Sequence, residues 1–427
     1  MDKQKILQVL SDQKDEMKAR DMSILCGRRE ERQLTLNSKL AQVVIGVRRS
    51  GKSTLCEKFL KQNDVNFAYV NFDDDRLADL ATKDFDDVLD SLYQLYGDFS
   101  HLFVDEIQNI DGWPLFVNRL LRQGLHIFVT GSNSKLLSNE LTTHLTGRYM
   151  RTELYPFSFA EYAAMRKVDL ESVSVKAVAL RKRELQEYLL QGGFPELLNG
   201  VANRRGYVDT LLNAIIKKDI AQRFKVRHVE ALRRMANSLI ENYCQEFKAT
   251  VVGPKFGISD HTAENYYSYL KEAFLLLGVP KFSHKVVERV RNEKVYVVDI
   301  ALATDRTGNF SPENLGWRLE NTIYIELLRR ARPTYSDVYY YRESTWEVDF
   351  VVAHAGVVDQ LIQVSYDISN EKTLARELRG LINGAKKLKC NNLLLINLSE
   401  EGDVTVDDLT IHKVMASEWL AQPLPNE

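Results

Sequence analysis

Between residues 41 and 131 the chain alternates short apolar runs with longer amphipathic stretches. "QVVIGV", "FAYVNF", "HLFVDE" and "HIFVTG" are strand-length, and most are rich in β-branched and aromatic residues. Such runs, apolar on both faces, suit buried parallel strands. Helical patterns separate them, so the order predicts an α/β unit with a parallel sheet, right-handed crossovers and helices on both faces. Ahead of it, "MDKQKILQVLSDQKDEMKAR" is charged and amphipathic and predicts an N-terminal helix within residues 1–25.

The rhythm changes after residue 165. "YVDTLLNAIIKKDIAQRF" and "VEALRRMANSLIENYCQEF" read as amphipathic helices. A short helix, a turn at Gly257 and a helix capped by Ser259 follow, which is the helix-turn-helix shape. "LLGVPKFS" and "KVYVVDIAL" are candidate wing strands. From residue 306 the pattern changes again: a helix with Leu319, Ile323 and Leu327 at core spacing, then "DVYYYRE", "WEVDFVVAH" and "LIQVSYD" as strands, a helix, and the buried strand "NNLLLINLS". The expected division is therefore 1–165, 166–305 and 306–427.

One motif gives the first unit a chemistry. Gly46-x-x-x-x-Gly51-Lys52-Ser53 stands between an apolar strand and a helix, the context in which this phosphate-loop pattern is specific. Gly46 and Gly51 let the backbone turn its N–H groups toward phosphates, and Val47, Arg48, Arg49, Ser50 and Thr54 complete the loop. Lys52 is placed to reach the β- and γ-phosphates of ATP, and Ser53 to bind Mg²⁺. The strand "HLFVDE" ends in Asp105, the expected Mg²⁺ partner, and Glu106, the expected base for the attacking water. "HIFVTGSNS" ends in Thr130, Ser132 and Asn133; Ser132, with Asn133 next, is the candidate contact to the γ-phosphate or that water. Arg28 and Arg29 precede the first strand, where a base pocket often lies. Arg148 is either a catalytic arginine, in cis or from a neighbouring subunit, or a structural ion pair.

"GVRRSGKST", "LFVDEIQNI", "VTGSNSKLLS", "LTGRY" and "LYPFSFAEY" resemble the AAA-type P-loop ATPases of bacteria and archaea whose chains end in a domain of unknown function. The resemblance spans nearly the whole chain. It implies a P-loop NTPase domain, then a helical and winged-helix region, then an α/β restriction endonuclease-like domain. In the last, it points to Glu320, Asp349 and the pair Gln363-x-Ser365 as the counterpart of a nuclease site. Such a centre wants hard-metal ligands and a lysine on the same strand face. Here Gln363 replaces a carboxylate and Ser365 replaces the lysine, so the site reads as degenerate unless Lys372 or Arg376 reaches back from the next helix.

Charge and composition narrow the partners. The net charge of the 427 residues is −2, but residues 181–234 are basic, with "RKR", Arg204-Arg205, Lys217-Lys218, "RFKVR" and Arg233-Arg234. That segment suits either DNA phosphates or solvated helix faces. The capped helix offers His261, Asn265, Tyr266, Tyr267, Tyr269 and Lys271 to DNA, but also Asp260, Glu264 and Glu272, which oppose it. No apolar run approaches the roughly 20 residues of a membrane span. Cys26, Cys56, Cys244 and Cys390 have no metal or disulfide spacing. The expectation is a cytoplasmic, Mg²⁺-dependent ATPase acting on DNA or nucleoprotein. The alternatives are a nucleotide-dependent switch or scaffold that binds a protein partner, or itself, and an ATP-regulated nuclease with an altered site.

Overall fold

A computed structural model describes residues 1–21, 25–132, 145, 147–283, 285, 293–307 and 312–424. The chain divides into two compact units, Met1–Tyr155 and Pro156–Glu427. The segments expected as separate domains at 166–305 and 306–427 both lie in the second.

The first unit is built on strands β1 (Ala41–Ile45), β2 (Phe67–Asn71), β3 (His101–Asp105), β4 (His126–Gly131) and β5 (Tyr149–Glu153). Their order is β2-β3-β4-β1-β5, and every neighbouring pair is parallel. β1 and β3 are buried along their whole length, which is why they read as continuous apolar runs. Val44, Leu55, Leu60, Phe103 and Phe128 pack in one core between the sheet and the helix Lys52–Gln62. The order has a functional consequence. β4 lies between β1, which carries the phosphate loop, and β3, which ends in Asp105. The polar residues at the end of β4 are therefore delivered between the loop and the acids.

In the second unit, helices Ala249–Phe256 and Asp260–Glu272 flank Gly257, whose φ of 69° is the left-handed turn conformation. Ser259 caps the second helix by accepting from Thr262 N at 3.1 Å. Strands β6 (Leu276–Pro280) and β7 (Glu293–Val297) then pair antiparallel. The helix Pro312–Thr334 leads into a six-stranded sheet. Its strands are β8 (Asp337–Arg342), β9 (Glu347–His354), β10 (Val357–Val364), β11 (Leu393–Asn397), β12 (Gly402–Val406) and β13 (Leu409–Met415), in the order β12-β13-β11-β10-β9-β8. β8, β9 and β10 are antiparallel neighbours, whereas β10, β11 and β13 run parallel. The helix Glu371–Leu388 packs over β9 and β10 through Leu381, Ile382 and Ala385. A backbone bond from Phe282 N to Tyr340 O, 2.7 Å, ties the end of the β6–β7 hairpin to β8. That connection brings β6, with β7 paired to it, to the antiparallel edge of the sheet.

Candidate functional site

The phosphate loop takes its shape from close backbone approach. A Cβ on Gly46 would lie 2.1 Å from the Leu154 carbonyl oxygen, so only glycine fits there. Gly51, with φ of 94°, turns the chain into the helix starting at Lys52. The first N–H groups of that helix have no partner within it and favour an anion. Ser50 N donates to Val47 O at 3.2 Å, and the Lys52 ammonium donates to the same carbonyl at 3.0 Å. Arg48 is half-buried, whereas Arg49 and Thr54 are exposed.

Across the loop, Ser53 Oγ donates to Asp105 Oδ1 at 2.8 Å. Thr130 Oγ donates to the same oxygen, and Tyr69, from β2, reaches Oδ2 at 3.4 Å. Burial first, then the neighbouring Glu106 carboxylate, pushes the Asp105 carboxyl above its usual range, against the bonds from Thr130 and Ser53 and the charge of Lys52. Glu106 adopts φ of 50°, the left-handed conformation uncommon outside glycine. Its Oε2 accepts from Ser132 Oγ at 3.2 Å, from Ser132 N at 3.3 Å and from Gln108 Nε2. The hydroxyl and carboxylate oxygens of Ser53 and Asp105 are hard donors that converge, a set that fits Mg²⁺.

The structure thus brings together the loop residues Gly46–Thr54, Asp105, Glu106 and Ser132. Asn133 lies outside the described residues. Arg28 lies next to the loop. It is buried, and its guanidinium donates to Ser50 O at 2.9 Å and to Tyr155 O at 2.6 Å, bracing the phosphate loop from behind. Arg148 does not join the site of its own chain. It is exposed at the start of β5, and its carbonyl accepts from Ala41 N at the first residue of β1. Five residues of strand, about 16 Å, separate it from the loop, beyond the reach of its side chain. A role for Arg148 in ATP hydrolysis therefore requires a neighbouring copy. Sequence reading gave no role to Tyr69, within "FAYVNF", or to Gln108, within "LFVDEIQNI".

In the second unit, Glu320, Asp349, Gln363 and Ser365 line one cavity of about 750 Å³. Ile362 pairs with Phe350, which sets Gln363 beside Asp349. Asp349 Oδ2 accepts from Val364 N at 2.9 Å. Gln363 is committed elsewhere: its amide donates to Glu377 at 2.7 Å, and its carbonyl accepts from Asp349 N at 3.4 Å. Ser365 Oγ donates to Asp367 O at 3.2 Å. Lys372 is exposed and lies off the cavity wall, and Arg376 pairs with Glu377 at 3.1 Å. Arg376 does line the cavity, and after Glu377 the Asp349 carboxylate also holds its pKa up.

A buried cation arrives from β7. Lys294 and Tyr296 share a strand face by the two-residue period, and both point at Glu320. The Lys294 ammonium is 3.2 Å from Glu320 Oε1, and Tyr296 OH donates to that oxygen at 2.7 Å. Lys294 also pairs with Glu347 and lies 3.9 Å from Asp349 Oδ1. Burial by itself would lower its pKa, but Glu320, Glu347 and Asp349 hold it well above the usual lysine range. Burial, then Glu320, raises the Asp349 carboxyl, and Lys294 opposes the shift. Sequence reading missed Lys294 and Glu347. Glu347 stands two residues before Asp349 and so on its face, a signal that was present.

The capped helix, for which DNA contact and packing were equally open, turns several of its candidates inward. Tyr266 and Tyr267 are 5% exposed, and Tyr267 stacks on Phe247 with ring centroids 4.1 Å apart. Tyr269 stacks on Phe224, and Lys271 pairs with Glu293. His261 is left exposed and Asn265 half-buried, beside exposed Asp260 and Glu264. Among the described residues, no helix is long and apolar enough to cross a membrane.

Comparison with known proteins places the chain among relatives. Residues 38–163 match the family described as AAA domain. Residues 182–313 and 315–417 match two families described as domains of unknown function, DUF8612 and DUF4143. "Uncharacterized protein MJ1544" of Methanocaldococcus jannaschii is 32% identical over 386 residues, 86% of this chain and 84% of that one. An "Uncharacterized protein" of Haemophilus influenzae is 30% identical over 342 residues, 77% of this chain and 82% of that one. The Thermotoga maritima RuvB Holliday junction branch migration motor aligns at 18% identity and TM-score 0.27, over 62% of this chain and 89% of that one, too loosely to carry an argument. On the extent of the first match, the chain belongs to the family of archaeal and bacterial proteins in which an AAA domain is followed by two domains of unknown function.

Proposed function

We propose that the chain binds and hydrolyses ATP at the loop Gly46–Thr54 and couples turnover to handling DNA or a nucleoprotein. One observation carries the hydrolysis: Ser53, Asp105 and Thr130 form one hydrogen-bonded group, and Glu106 is held beside it by Ser132. Lys52 pairs with the β- and γ-phosphates, and Ser53 and Asp105 hold the metal. Bound Mg²⁺ supplies positive charge at those phosphates. Glu106, its oxygen fixed by Ser132, orients the attacking water and takes its proton. The new P–O bond forms as the bond to the departing ADP oxygen breaks. Ser132, between Glu106 and the loop, is placed to register the γ-phosphate.

The DNA half of the proposal is supported by Arg205, Lys217, Lys218, Lys225 and Arg227, which are exposed in the basic segment. Phosphate contacts of that kind weaken steeply with salt. Hydrolysis is checked with purified protein. Lys52→Ala is expected to lose ATP binding, and Glu106→Gln to bind ATP while turnover falls by about 100-fold or more. Wild-type turnover in Glu106→Gln would overturn the assignment of the base. DNA that raises the ATPase rate at low salt, less so at physiological salt, supports the coupling. A rate indifferent to DNA, with a co-purifying protein, supports the protein-switch alternative.

A further inference from the structure

The nuclease resemblance of the C-terminal sheet calls for a divalent metal between Glu320 and Asp349. The donor set does not fit one. Gln363 spends its carbonyl on Asp349 N and its amide on Glu377. Among the described residues, no group of three or more acids, histidines or cysteines is arranged to hold a metal ion. The carboxylates converge on an ammonium instead.

We infer that Lys294 takes the place of the divalent cation, which makes the C-terminal cavity a metal-independent site rather than a cutting one. Three features support this. Lys294 is 5% exposed and contacts Glu320, Glu347 and Asp349 together, which come from two different elements. It is clamped on both sides: its partner in β6 is Val279, and on the other side it bridges to Glu246. It also stands behind the carboxylates, which line the cavity while Lys294 does not. A catalytic lysine must touch the substrate; this one faces the acids and the Tyr340 ring. In a nuclease centre, lysine and metal are both needed. Here one lysine offsets one of the three carboxylate charges around it, and the front position holds Ser365. The cavity keeps its carboxylate wall and its shape, which suits recognition and not hydrolysis.

The charge count suggests the test. Removing Lys294 and the charge of Glu347 together keeps the net charge of the group unchanged but takes away the ammonium that Glu320 and Asp349 share, which leaves both carboxylates open to a divalent ion. Mn²⁺ is titrated into the full chain by calorimetry, in an Asp105→Asn background that removes the carboxylate of the ATPase unit. The parent is expected to bind no Mn²⁺ in a manner dependent on Asp349, and to nick no plasmid DNA in its presence. Lys294→Met with Glu347→Gln is expected to gain about tenfold or more in Mn²⁺ affinity, and adding Asp349→Asn is expected to abolish the gain. Lys294→Arg, which keeps the charge, is expected to gain nothing. Mn²⁺ binding by the parent that disappears in Asp349→Asn overturns the inference, and needs no variant at Lys294. So does a folded double variant, checked by circular dichroism, that gains no affinity. The ATPase rate, read with Asp105 restored, is unaffected by either result, so the two proposals fail separately.

Discussion

At the scale of single residues, the most informative side chains are those with a role no motif announces. Arg28 lies ahead of the first strand and carries two backbone carbonyls, Ser50 O and Tyr155 O. Its place in the sequence suggested contact with the base, but its burial and partners make it a brace for the loop. Replacing it leaves carbonyls without a donor, at about 1–3 kcal/mol each. Arg28→Ala is therefore expected to raise KM for ATP about tenfold while kcat changes by much less, because loop order is needed for binding more than for chemistry. Arg28→Lys, which keeps one donor near the carbonyls, is expected to recover part of the loss. Steady-state kinetics decides this: an unchanged KM means the loop holds its shape without Arg28. The phosphate loop and the acids of β3 were legible because each depends on adjacent residues. Arg28 and Lys294 were not, because their partners lie 127 and 26 residues away in the chain.

At the scale of elements, strands with continuous apolar runs were easy to recognise, whereas β5, β12 and β13 were not. β5 carries exposed Met150 and Arg151, and β12 alternates weakly between exposed and half-buried positions. Their pairing is set by neighbours and not by their own pattern. Close approach between elements was equally hidden. Gly380, in the middle of the helix Glu371–Leu388, permits contact with β9: a Cβ there would lie 2.5 Å from the Glu347 carbonyl oxygen. Two effects compete in Gly380→Ala. Alanine improves helix propensity by up to about 1 kcal/mol, and overpacking against a fixed backbone costs about 1–3 kcal/mol. The second wins because the obstructing atom is backbone of β9, a strand paired on both sides in the sheet. The variant is expected to lose about 1 kcal/mol or more, read as a lower urea midpoint. A midpoint at or above that of the parent would mean that the helix moves off β9 at no cost.

At the scale of the whole molecule, the sequence marked a change of pattern near residue 306, yet the chain clusters as two units and not three. The reason lies in contacts that cross that position: Lys294 and Tyr296 reach Glu320, and Asn321 bonds both Val297 N and Val297 O at 2.9 Å. The second unit holds a further link of this kind, and it sets how stability depends on pH. Asp299 accepts from Gly193 N at 2.7 Å and from Ala301 N at 2.8 Å, joining segments 106 residues apart. Burial raises its pKa to about 6, against those two bonds and the charges of Arg329 and Arg204. The folded state therefore holds a proton on Asp299 at pH values where the unfolded chain, near 3.8, has released it. The stability contributed by that proton is fully present below the unfolded value and is lost as pH rises through about 6. The loss amounts to about 3 kcal/mol at most, at 1.36 kcal/mol per unit. Asp299→Asn cannot titrate and still offers one acceptor, so it is expected to lose a pH-independent hydrogen bond worth about 1 kcal/mol. Its stability, relative to the parent, is then expected to rise as pH increases from 4 to 7. Urea unfolding of parent and variant across that range measures the difference directly. Parallel curves would show that Asp299 enters the folded state ionised, and that its two backbone bonds outweigh its burial.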